Sequence, residues 1–140
     1  MALGPLTYKT PNQITNITAD LSGSEGCGVT LTAQGTIGLS TVQTELPYGI
    51  VVVGASSVTG TYTGQIAAGA LEIVDAYGAT VQVQAGASAI VVGDSLQVNG
   101  SGQFIPGAGT VGEWVWGYAL TAAPAGGQFL ARFAPYIKQA

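Results

Sequence analysis

One passage of this sequence is written twice. Gly26-Cys27-Gly28-Val29-Thr30-Leu31-Thr32-Ala33-Gln34-Gly35-Thr36-Ile37 returns as Gly93-Asp94-Ser95-Leu96-Gln97-Val98-Asn99-Gly100-Ser101-Gly102-Gln103-Phe104. Gly26 aligns with Gly93, Val29 with Leu96, Leu31 with Val98, Gly35 with Gly102 and Ile37 with Phe104, all at an offset of 67 (93 − 26). Further on, Tyr48-Gly49-Ile50 answers Trp116-Gly117-Tyr118 at 68 (116 − 48), as if one residue had been inserted. Upstream, Ile14 and Val81 return to 67 (81 − 14). A fixed offset over three blocks marks a duplicated structural unit, here about residues 14–66 and 81–133. A duplicated unit with almost no charge is suited to packing and adhesion rather than catalysis.

The repeated passage reads as strand, turn and strand. Val29-Thr-Leu31-Thr alternates apolar and polar, Ala33-Gln34-Gly35 turns, and Thr36-Ile37-Gly38-Leu39 returns, which predicts a hairpin over 28–39. The second copy predicts another around Gly100-Ser101-Gly102. Residues 71–77 and 79–84 read as a further strand pair around Gly78, with Val81 and Val83 on one face and Thr80, Gln82 and Gln84 on the other. Trp114-Val-Trp116-Gly-Tyr118 predicts a strand with three aromatics on one face, and Gln128–Phe133 closes the domain. Helix signals are nearly absent. The expected fold is all-β: a compact antiparallel sandwich or small barrel of two duplicated units over 14–140. Pro5 and Pro11 block regular pairing ahead of it, so residues 1–13 read as an extended N-terminal arm bearing Leu3, Leu6 and Tyr8.

Composition narrows the function. Charged residues are 7 % of the 140, against about 25 % in ordinary soluble domains. Only Lys9, Arg132 and Lys138 are basic, and the formal net charge is −4. Binding to nucleic acid needs clustered cations to displace counterions, so no nucleic-acid partner is expected. No apolar run approaches the about 20 residues of a membrane span, and no membrane partner is expected either. Met1–Leu6 lacks a basic start and a continuous apolar core, so no signal peptide is expected. A surface this poor in charge invites association, and the economical reading is that protein neighbours cover it.

The catalytic inventory is thin. Histidine is absent, which removes the usual general base and zinc ligand. Cys27 is the sole cysteine and reads as a small buried hydrophobe, with Asp94 at its counterpart position. Gly107-Ala-Gly109-Thr-Val-Gly112 spells a dinucleotide fingerprint, but a strand follows it rather than a helix, so it reads as a loop. Glu72 and Asp75, three apart on a strand, point to opposite faces. Neither an enzyme nor a cofactor is expected. Tyr48, Trp114, Trp116 and Tyr118 are candidates for core packing or for an aromatic subunit interface, with a sugar platform as a further reading.

The run Gly93-Asp94-Ser95-Leu96, Gly100-Ser101-Gly102-Gln103-Phe104-Ile105-Pro106, Gly117-Tyr118-Ala119-Leu120, Ala123-Pro124-Ala125-Gly126-Gly127 and Ala131-Arg132-Phe133 resembles the capsid cement (head decoration) family of tailed phages. The first copy matches more loosely, at Val29–Ile37 and Gly49–Val51. The Trp114/Trp116 pair, Cys27 in place of the acid and the linker around Val53–Gly64 depart from that pattern. The resemblance implies a non-enzymatic virion protein, made in the host cytoplasm. Its trimers, or in some members other small clusters, clamp the outer capsid surface where capsomers of the major capsid protein meet. The expected contacts are Leu3, Pro5, Leu6, Tyr8 and Lys9 in the arm, the four aromatics, and Arg132, Tyr136, Ile137 and Lys138 near the C-terminus. The alternative is a receptor- or glycan-binding module of a phage tail or fibre.

Overall fold

Short apolar runs cut by glycine have one economical use, as strands joined by tight turns. The computed structural model describes residues 15–17, 21, 23–31, 36–53, 60–62 and 72–140. Among them are eleven strands and no helix. These are β1 (Thr15–Ile17), β2 (Gly28–Leu31), β3 (Thr36–Leu39), β4 (Leu46–Val53), β5 (Gly60–Tyr62), β6 (Glu72–Asp75), β7 (Thr80–Gln84), β8 (Ser95–Val98), β9 (Phe104–Pro106), β10 (Trp114–Ala119) and β11 (Gln128–Ile137). They form two sheets, ordered β5-β1-β3-β2-β4-β6 and β7-β11-β10-β8-β9. Every strand pairing is antiparallel except β1 with β3. The expected all-β architecture is therefore the fold, and it is open rather than closed. The second sheet curls until Ala85 meets Phe104 in a parallel bridge and the Gly86 N–H donates to the Phe104 carbonyl at 2.9 Å. That one bridge does not close a barrel.

The 67-residue offset reappears in the backbone. Strands β3-β2-β4 of the first sheet and β9-β8-β10 of the second have the same order. Val29 pairs with Leu39 and Leu31 with Ile37; 67 residues on, Leu96 pairs with Pro106 and Val98 with Phe104. Val29 faces Gly49 as Leu96 faces Gly117. The entry turns match bond for bond. Gly26 N–H donates to Val51 and Gly93 N–H to Ala119, both at 2.8 Å; Cys27 N–H donates to Ser24 and Asp94 N–H to Val91, both at 3.0 Å. Gly26 (φ 82°) and Gly93 (φ 90°) both occupy the left-handed region, which a side chain rarely tolerates.

Gly49 and Gly117 serve a different need. A Cβ on Gly117 would collide with the Arg132 carbonyl oxygen, and one on Gly49 with the Val74 carbonyl oxygen and the Ile73 side chain. At both places a glycine lets the next strand's backbone come close, where a longer side chain would force the ladder apart.

Burial follows the two sheets. The main core gathers Val83, Ala85, Leu96, Val98, Phe104, Trp116, Phe129, Ala131 and Phe133 of the second sheet with Ile50 of β4 and Ala76 just after β6. Leu21, Val29, Ile37, Val51 and Ile73 form a smaller second core, with Tyr48 half-buried against it. Gly28 is the seam: a Cβ there would lie 2.9 Å from the Trp116 ring, and its N–H donates to Gly102 at 2.8 Å. One expectation is corrected. β6 and β7 do not pair with each other; β6 borders β4 and β7 borders β11, so the chain crosses between sheets at residues 76–79. The sequence there has the look of a tight hairpin. However, Gly78 N–H donates to Phe133 at 2.8 Å, and Phe133 N–H in turn donates to Ala79, also at 2.8 Å, which draws the turn onto β11.

Candidate binding surface

β10 and β11 carry six of the eight sequence-predicted contact residues that are described. Trp114 pairs with Ile137, Val115 with Tyr136, and Tyr118 with Arg132. The register slips between Val115 and Gly117, where Ala134 and Pro135 together span the place opposite Trp116. This bulge breaks the alternation on which the single aromatic face depended. The expectation of three aromatics on one face is thus corrected. Trp116 is sealed in the core, 5.4 Å from Phe104 edge-on and 6.5 Å from Phe133. Tyr118 is exposed on the outside, and Trp114 is half-buried. Tyr48, in the other sheet, belongs to the second core. Leu3, Pro5, Leu6, Tyr8 and Lys9 lie outside the described residues.

The outer face of the second sheet follows from cross-strand register. Tyr118, Arg132 and Thr80 form one row, Leu130 and Gln82 a second, Gln128 and Gln84 a third. Its polar groups hold one another: Arg132 Nε donates to Thr80 Oγ1 at 2.6 Å and Gln82 Nε2 to Gln128 Oε1 at 2.9 Å. The result is a face with pre-set amides, one phenol, one leucine and one cation. Beside it an open cleft of roughly 270 Å³ is lined by Glu25, Gly26, Val51, Val52, Val81, Gln82 and Gln128. Tyr136 and Ile137 are exposed where the ribbon outruns β7, and Lys138 binds back through its N–H to Glu113 at 2.8 Å.

Sequence reasoning missed a second duplicated feature. Glu45 accepts from Thr30 Oγ1 at 3.0 Å and from the Thr41 N–H at 3.1 Å. Glu113, 68 residues on, accepts from the Thr110 N–H at 2.9 Å and from Gln97 Nε2 at 3.2 Å, and Gln97 is Thr30's counterpart at 67. Each carboxylate clasps the loop before β4 or β10 to the middle of the hairpin. Both loops expose a valine, Val42 and Val111, and they meet where the Trp114 N–H donates to Gln43 at 2.9 Å. The 107–112 run is one of these loops, as its sequence indicates; Gly109 lies over Val115. The signal was present in the shared offset of the two glutamates.

The clasps give the fold an acid-sensitive part. Partial burial pushes the Glu45 carboxyl up, but the donors on Thr41 and Thr30 outweigh it and hold the group below the ordinary range. At Glu113 the Thr110 N–H leads and Gln97 adds to it, again downward. A carboxyl whose pKa is lower folded than unfolded binds fewer protons when folded. Its stabilisation is full above the unfolded value of about 4.3 and disappears as pH falls through the folded one. The thermal midpoint should therefore drop below about pH 4.5. Glu45→Gln with Glu113→Gln should drop less steeply in calorimetry across the same range; an unchanged slope would show that the clasps are not the titrating elements.

Cys27 is buried, and desolvation with the nearby Glu25 charge pushes its thiol up, so it is a poor nucleophile. Among the described residues no three His, Cys, Asp or Glu side chains are grouped so as to hold a metal ion. No protein-family model and no curated protein matches this chain.

Proposed function

We propose that this chain is a structural virion protein, an oligomeric cement or decoration protein. In this reading it sits as a homotrimer on the outer surface of a phage head, binds the major capsid protein between capsomers and stabilises the shell. The observation that carries the reading is the outer face of the second sheet, where Arg132 is the one cation among apolar and amide side chains and the polar groups are fixed by their own hydrogen bonds. A face of this kind has little use in free solution and much use against another protein surface. Several copies held together need only weak individual contacts, because linkage raises the effective concentration of each. The residue inventory agrees. The described acids Glu45 and Glu113 are bound up in turn-holding contacts, and among its described lining residues the cleft beside the face has one titratable group, Glu25.

A glycan-binding module has less support. It needs clustered aromatic faces; with Trp116 in the core, the other two aromatics of β10, Trp114 and Tyr118, stand four residues apart, about 13 Å along the strand. The deciding experiment is co-sedimentation with expanded phage heads stripped of decoration. The wild-type chain should bind saturably, and Leu130→Asp should weaken binding at least about tenfold, since a charge would enter the dry centre of the contact. Failure of the wild type to sediment with shells overturns the proposal.

A further inference from the structure

Charge is scarce in this chain, and the fold consumes much of what is described. Glu45 and Glu113 hold the loop clasps. Asp75 accepts the Tyr77 N–H and Asp94 the Val91 N–H, each at 2.8 Å. Two charged groups stand apart beside one face. Glu25 is exposed and has no hydrogen-bond partner among the described residues. Arg132 is exposed too; its Nε is engaged by Thr80 Oγ1, which fixes the plane of the guanidinium and leaves its terminal nitrogens without a described acceptor. Lys138 lies off this face, with its backbone tied to Gly112 and Glu113.

The two groups occupy opposite ends of the β7–β11 ladder. Arg132 pairs with Thr80 at one end. Glu25 borders the cleft with Gln82 and Gln128 at the other, where the Gln84 N–H donates to Gly26 at 3.0 Å. Gln128 and Arg132 are four residues apart on one strand, about 13 Å. The face is thus positive at one end and negative at the other, with Leu130 and the Gln82–Gln128 amide pair between.

We propose that this is a self-recognition surface, on which the Arg132 end of one copy docks against the Glu25 end of a second copy, head to tail. The inference rests on the self-association proposed above and names the contact that makes it. A second copy fits because both halves of the complementarity belong to the same chain, whereas an acidic foreign partner would use Arg132 and leave Glu25 unmatched. Two different patches meeting head to tail form a heterologous contact, the kind that closes into a ring when the rotation allows. An exposed ion pair contributes little affinity and chiefly fixes register and partner. Tyr118, in one row with Arg132, supplies apolar area at that end, and Leu130 in the middle of the face is left to the shell.

Charge reversal tests this on the full chain by sedimentation equilibrium. Arg132→Glu and Glu25→Arg should each weaken self-association at least about tenfold, because two like charges would then meet. The double variant should return to near wild-type mass, which also shows that both substitutions fold. A wild-type oligomer that neither single reversal disturbs, or a double variant as weak as the singles, overturns the contact while leaving self-association standing. A wild type that is monomeric at high concentration overturns both. Loss of shell binding by Arg132→Glu with its mass unchanged would assign Arg132 to the coat protein and overturn the contact.

Discussion

Trp116→Ala is expected to cost about 3–5 kcal/mol, the range for emptying a fully buried large aromatic position. Domains of this size are held by only about 5–15 kcal/mol, so the variant should be largely unfolded in mild denaturant. The physical case is specific. Trp116 contacts two aromatic rings of the second unit and lies directly over Gly28 of the first, so its loss opens a void at the seam of the duplication. A urea transition with a shifted midpoint and an unchanged slope would measure the effect. Trp114→Ala, at a half-buried position near the ribbon end, should cost far less. Equal costs for the two tryptophans would contradict the bulge geometry that separates them.

Gly117→Ala should be as damaging although it adds one carbon and removes nothing. Its Cβ would run into the Arg132 carbonyl and the Phe133 backbone, atoms of a paired strand that cannot rotate away as a side chain can. Overpacking usually costs about 1–3 kcal/mol; with backbone on the far side, about 3 kcal/mol or more is expected. Gly49→Ala meets the same obstacle in the first unit and should behave alike. Gly38→Ala is the control: on β3, with nothing within 4 Å of the added carbon, it should be neutral or stabilise by up to about 1 kcal/mol. Thermal melts of the three variants suffice, and parity of Gly117→Ala with Gly38→Ala would refute the close-approach explanation.

The duplicated hairpins were legible because register is a local matter. The alternation in Val29-Thr-Leu31 and Leu96-Gln-Val98 sets which side chains face inward, and in the second copy the turn at Gly102 sets where the chain reverses. The inward facing of Val83 against the outward facing of Thr80 and Gln82 was legible for the same reason. Crossing between sheets was not, since residues 76–79 look like a two-strand turn and their partner, Phe133, is more than fifty residues away. The bulge was also hidden. A period-2 reading of Trp114, Trp116 and Tyr118 assumes an unbroken ladder, and the extra residue that breaks it sits on the neighbouring strand. The glutamate clasps fell between: each glutamate looks like solvated surface alone, and only the comparison of Glu45 with Glu113 through the repeat gives them away.

Pro135 and the extra residue in β11 have a bearing on how such a chain stays dispersed. Strands rich in valine and poor in charge are the ones that recruit foreign strands onto their sheets, growing towards fibrils. Beyond the stretch that β7 covers, β11 offers a kinked margin with an amide missing at Pro135, and the Ile137 carbonyl is occupied by the Gln139 side chain at 3.3 Å. A stray strand finds too few hydrogen-bonding groups in line to add there, so adhesion at this end is left to side chains, whose matching is selective where backbone pairing is not.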